Sequence, residues 1–160
     1  MVPYEEAPIL RISKLTDYGT VILACLASPA DRLWTAAEVA ERTRVGLPTV
    51  SKLLKKLQRS GLVVSTRGSH GGYQLACPPN EISAARILDA LEGPFAITEC
   101  SGQHSNCGIE SNCRVGHVWQ RVNGAIRRAL TDITLAHLAG LERGTSTTVP
   151  LSRLVRASHE

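Results

Sequence analysis

Aromatic side chains are scarce in this chain: one Phe, two Trp and three Tyr among 160 residues, with a single Met. A core must therefore come from Leu, Ile, Val and Ala, which the 43% apolar fraction can supply for one domain, or for one small domain with an appendage. No run approaches the roughly 18 apolar residues of a spanning helix, so no membrane segment is expected. Residues Met1 to Pro8 carry Glu5 and Glu6 and no apolar stretch of the kind that directs export. The expected compartment is the cytoplasm, where thiols stay reduced, and there five cysteines, an odd number, point to metal ligands before disulfides. No internal repeat appears, no glycine loop leads into a helix as phosphate binding requires, and no nucleophile sits beside a base in a recognisable context; an enzyme is not expected. The charge excess is mild. Eighteen Lys and Arg against fourteen Asp and Glu give +4, which permits nucleic-acid binding only if the positive charge is clustered.

Three of the five cysteines are concentrated in one polar stretch. Cys100, Cys107 and Cys113 are separated by six residues and then five, with Gly, Ser, Asn and Gln between them. Such residues favour turns and cannot build a core, so the loop needs something other than packing to hold it. The spacing is too long for paired Cys-x2-Cys zinc knuckles. It suits a loop wrapped around an iron–sulfur cluster, whose irons take thiolates, with His or another ligand sometimes replacing one Cys. The plain alternative is a flexible loop with incidental cysteines. Cys25 lies in an apolar run and is expected in the core; Cys77 receives no role.

Upstream, the order of elements is informative. After a leader (1–9), a helix is expected over about 13–27, with Leu15, Val21, Ile22, Cys25 and Leu26 on its apolar face. Thr35 and Glu38 have the spacing of a capping box opening a short second helix. A connection containing Gly46 leads to a third helix at about 48–59, where Pro48 fits the first turn. Val50, Leu53, Leu54 and Leu57 form one face of that helix; Lys52, Lys55, Lys56 and Arg59 form the other, with Ser51 near its start and Gly61 as the stop. Two short helices, the second basic, have the form of a helix-turn-helix whose second helix enters the major groove. Residues 62–66 and 73–76 have strand composition, and the turn between them carries Arg67, His70 and three glycines. A hairpin placed there is a wing, with an Arg able to reach a narrow minor groove. The bland readings are a solvated amphipathic helix and an ordinary hairpin; the sequence of elements favours DNA binding.

A further helix is expected at about 83–91. After the cysteine loop comes a long one at about 117–141, on which Trp119, Val122, Ile126, Leu130 and Ile133 step by three or four. About 25 residues make a rod of roughly 37 Å. A dimer interface explains that length, because a two-fold pair reads two half-sites. The fold expected is mainly α with a small β-hairpin: a winged helix-turn-helix (10–79), a connecting helix and cluster loop (80–116), a dimerisation helix (117–143) and a flexible tail (144–160).

Leu10 to Tyr18, the wing from Ser65 to Leu75, and the three cysteines followed by Trp119 resemble the winged-helix iron–sulfur regulators that include IscR, NsrR and RirA. The likeness runs over about residues 10–141 and is greatest to the branch that regulates SUF iron–sulfur assembly. It implies a homodimeric repressor binding an operator in double-stranded DNA, with a 2Fe–2S or 4Fe–4S cluster on Cys100, Cys107 and Cys113. The fourth ligand stays open. The family's His three residues after the last Cys corresponds here to Gly116, with His117 one position on; the family's Asp from the opening helix of the other subunit corresponds to Asp17. Glu110, His104 or solvent complete the candidates. A nitric-oxide or redox sensor of the same family is the alternative function. A zinc-stabilised interaction module, holding zinc through the three cysteines and His117, and a cluster-bearing enzyme are the rivals from other classes.

Overall fold

The computed structural model describes residues 12–29, 31–96 and 115–142. Its elements are α1 (Lys14–Leu26), α2 (Ala36–Thr43), α3 (Leu47–Arg59), β1 (Val63–Thr66), β2 (Gly72–Leu75), a 3-10 turn (Pro79–Glu81), α4 (Ala84–Glu92), α5 (Gly116–Asp132) and α6 (Leu135–Leu138). The fold is mainly helical with one antiparallel hairpin.

Local chemistry explains the helix starts. Ser13 caps α1 by accepting from the Thr16 amide, and Ser83 caps α4 by accepting from Arg86. Thr35 and Glu38 form the capping box reciprocally, at 3.2 Å from the Glu38 amide to Thr35 Oγ1 and 2.8 Å from the Thr35 amide to Glu38 Oε2. The α3 stop works through Gly61, at φ +75°, where the Gly61 and Leu62 amides donate back to the Gln58 and Leu57 carbonyls. In the turn between α2 and α3 the left-handed residue is Arg44, at φ +58°, while Gly46 has an ordinary φ and caps α3.

The core joins α1, α3, α4 and the hairpin. Ile22, Leu23, Leu26, Val39, Val50, Leu53, Leu54, Leu57, Leu62, Ile82, Ile87, Leu91 and Leu135 are essentially solvent-free. The apolar face of α3 is buried as expected, and truncating Leu54 to Ala there costs about 2–5 kcal/mol. Cys25 is buried with it, and burial pushes its thiol pKa up. The α1 face needs correction: Leu15 and Val21 are exposed, together with Ile12 and Tyr18. Leu23 and Gly19 take the inward positions instead, Gly19 because a Cβ there would lie 2.5 Å from Leu91 Cδ1.

The long C-terminal helix is also corrected. It ends at Asp132, so α5 has 17 residues and spans about 25 Å rather than 37 Å. Ile133 is extended, its carbonyl accepts from the Ala84 amide at 2.8 Å, and the Leu135 amide donates to the Ile82 carbonyl at 2.7 Å. Thr134 then caps α6 with His137. That backbone pairing competes with helix continuation and draws Leu135 fully into the core. The segment after Asp132 therefore packs against α1 and the 3-10 turn and does not extend the rod, and Ile133 does not share the α5 face.

Candidate functional site

The candidate DNA-binding surface is built by α3 and the wing together. Lys52, Lys55 and Arg59 are exposed, and none has a side-chain hydrogen bond or ion pair among the described residues. Three uncommitted cations on one face are free to meet phosphate. Ser51 is half-buried beside them. Lys56 is placed otherwise: its Nζ donates to the Leu91 carbonyl of α4 at 2.6 Å. Its charge is committed to the end of a neighbouring helix.

The hairpin runs Val63↔Leu75 to Thr66↔Gly72 in antiparallel register. Trp34 adds a bridge on its far side, with the Trp34 amide donating to the Tyr73 carbonyl at 2.9 Å and the Tyr73 amide to the Trp34 carbonyl at 2.7 Å. Gly72 allows this approach, since a Cβ there would lie 2.8 Å from the Trp34 carbonyl oxygen. The Arg32 guanidinium lies 4.1 Å from the Trp34 ring centroid and that of Arg42 5.2 Å, distances at which cation–π attraction operates. Gln58 Nε2 donates to Ser65 Oγ at 2.8 Å and so fixes the wing to α3. Arg67 and His70 at the tip are exposed. Sequence reasoning passed over Trp34 and Gln58. Gln58 sits among polar positions that read as solvated, and Trp34 stands between Leu33 and Thr35 in no recognisable motif, so neither carried a usable signal.

Cys100, Cys107 and Cys113 lie outside the described residues, as do His104 and Glu110. Among the described residues no group of three His, Cys, Asp or Glu is placed to hold a metal. The two remaining ligand candidates are described. Asp17 is exposed on α1, its carboxylate without a partner among the described residues, and lines an open cleft of about 360 Å³ with Tyr18, Val21, Thr43, Arg44, Val45, Gly46 and Thr49. His117 is exposed on the first turn of α5 and likewise uncommitted. Thiolates joined by a carboxylate or imidazole are a chemically competent donor set for iron. The cleft places Asp17 directly against the turn of the helix-turn-helix.

The dimer candidates on α5 divide. Trp119 is 42% exposed and Val122 37%, with Val115 and Val118 at 58% each, whereas Ile126 and Leu130 are half-buried. Four large apolar side chains exposed over two turns form a face without a partner among the described residues.

The family model described as Rrf2, iron-dependent transcriptional regulator, matches residues 12–140. A putative HTH-type transcriptional regulator of Haemophilus influenzae is 36% identical over 135 residues, covering 84% of this chain and 81% of its own. Among solved structures, CymR (YrzC), the global cysteine regulator of B. subtilis, matches with TM-score 0.64 at 27% identity, covering 84% of this chain and 99% of its own. T. potens IscR matches with TM-score 0.62 at 28% identity, covering 88% and 96%.

Proposed function

The chain belongs to the Rrf2 family of transcriptional regulators, and from that premise we propose that it is a cluster-sensing member: a cytoplasmic homodimer that represses iron–sulfur assembly genes and responds to the state of its own cluster. The observation that carries the DNA half of this reading is the uncommitted basic face of α3 beside an exposed Arg67–His70 wing tip. Lys52, Lys55 and Arg59 meet phosphates and base edges in the major groove, Ser51 reaches the groove floor, and the wing tip follows the backbone. Val118, Trp119 and Val122 join the two copies.

For the sensing half, Cys100, Cys107 and Cys113 hold the cluster, with Asp17 of the other copy, or His117, as fourth ligand. When bound, the group supplies a centre sensitive to iron supply, oxidation and nitric oxide. A carboxylate oxygen is a hard ligand for iron and is readily displaced, which suits a sensor. Asp17 shares its cleft with Thr43, Arg44 and Gly46, so whatever engages it also bears on the helix-turn-helix turn. A two-state element of that kind is what a ligand can bias.

Purification without oxygen, followed by iron, sulfide and zinc analysis and by footprinting with and without the cluster, tests the reading. A brown protein whose operator affinity changes when the cluster is removed is the expected result; each of Cys100→Ala, Cys107→Ala and Cys113→Ala should lose the colour and keep the folded dimer. A colourless protein with stoichiometric zinc would establish the zinc module instead. The likeness to CymR favours one second reading, a family regulator tuned to cysteine supply. DNA binding by a metal-free protein, unaffected by iron and sulfide, would select it.

A further inference from the structure

We propose that the last turn of α4 is a spacer that fixes the recognition helix relative to the dimer helix, with Lys56 and Arg127 as its two positioning residues. This rests on the reading of the protein as a DNA-binding homodimer.

Three of the last four residues of α4, Asp89, Leu91 and Glu92, hold three other helices. Lys56 Nζ, from α3, donates to the Leu91 carbonyl at 2.6 Å. The last carbonyls of a helix have no intrahelical donor and carry partial negative charge, so an ammonium is well placed there. On α5, Arg127 grips Asp89 with two bonds, Nη2 to Oδ2 at 2.6 Å and Nη1 to Oδ1 at 3.1 Å. Paired parallel bonds fix rotation as well as distance. Glu92 accepts from the Ser13 and Thr16 hydroxyls at the start of α1. Leu91 packs against Gly19, where an added Cβ would lie 2.5 Å from Leu91 Cδ1, so α1 and α4 approach closely there.

The Arg127–Asp89 pair is part-exposed, and such pairs add little to stability. Their geometric effect is larger. The exposed Val118–Val122 face of α5 meets the second copy, so a rotation of α5 on α4 displaces one recognition helix relative to the other. One base pair along DNA is about 3.4 Å, and a two-fold dimer is sensitive to an error of that size. Lys56 thus serves DNA binding without touching DNA.

The test uses the full chain and an operator it selects from a random DNA pool, with the half-sites then moved one base pair closer or farther apart. Wild type is expected to lose about tenfold in affinity or more at either altered spacing. Lys56→Met and Arg127→Met should each cut that penalty to about threefold, Lys56→Arg should restore it, and the salt slope of Lys56→Met should equal that of wild type. Thermal unfolding checks that each variant is folded; should Lys56→Met not fold, Arg127→Met carries the same readout. An undiminished spacing penalty in the folded variants overturns the proposal. So does a salt slope in Lys56→Met reduced by about 0.9 per phosphate, the signature of direct contact. Failure of the wild-type chain to select any DNA would instead defeat the functional reading, and the spacer with it.

Discussion

Gly71→Ala in the wing tip isolates the turn geometry on which the proposed contact of the tip with the DNA backbone depends. A Cβ at Gly71 would sit 2.2 Å from the Thr66 carbonyl oxygen and 3.0 Å from both Arg67 C and the Gly68 carbonyl oxygen. Ordinary contact begins at 3.4 Å, so the first shortfall is about 1.2 Å, and every atom involved is backbone. No side chain can swing aside. The Gly71 amide also donates to the Gly68 carbonyl at 3.0 Å, and any shift that relieves the clash breaks this turn. Overpacking of this kind costs about 1–3 kcal/mol, which corresponds to roughly 3–9 °C in Tm for a chain of this size. The wing lies at the edge of the fold, so the hairpin can open alone, and the actual fall should sit in the lower half of that range. DNA binding should suffer more. If each displaced tip forfeits one phosphate contact, the homodimer loses about 1.8 from the slope of log affinity against log salt. Calorimetry and fluorescence anisotropy over a salt series measure both quantities. A variant that melts within about 1 °C of wild type and keeps its slope would show that the tip does not adopt this turn. Gly68→Ala should also destabilise the tip, through backbone conformation alone: Gly68 has φ +119° and open space where a Cβ would go.

Three further outcomes are expected. Lys52→Ala or Lys55→Ala should reduce the salt slope by about 1.8 for the homodimer, so that raising salt from about 50 to about 200 mM costs wild type about tenfold more affinity than the variant; an unchanged slope would move the contact surface away from α3. Trp119→Glu should dissociate the dimer in sedimentation at micromolar protein, since apolar burial of such a side chain on both copies contributes about 3–6 kcal/mol; an intact dimer would place the interface elsewhere. The Arg127 hydrogen bonds hold Asp89 below its ordinary 3.8, so the stability it contributes is present above that value and lost as pH falls through the lower folded value. Asp89→Asn should therefore be less stable than wild type at neutral pH, by no more than about 1 kcal/mol for a part-exposed pair. Urea titrations should show the gap closing below about pH 3.8, and a gap that widens on acidification would refute the assignment.

Sequence alone determined the helix-turn-helix and its wing. Their signals act within a few residues: Thr35 with Glu38, Gly61 after α3, the three-and-four spacing of Val50, Leu53, Leu54 and Leu57, and the glycines of the tip. Each gains its free energy from neighbours the chain itself supplies, so a linear reading captures it. The clustering of Cys100, Cys107 and Cys113 in a polar stretch is likewise a property of the sequence alone. Tertiary structure decided what depends on distant partners. Lys56 reads like Lys55 until Leu91, 35 residues on, offers its carbonyl. The α5 pattern continues past Asp132, yet Ile82 and Ala84 take the backbone of Ile133 and Leu135 and end the helix there. Leu15 and Val21 share the period of α1's core positions, but the packing of Leu91 on Gly19 settles which face turns inward. Periodicity says that a helix has an apolar face; only the closing of the chain on itself decides which residues that face meets.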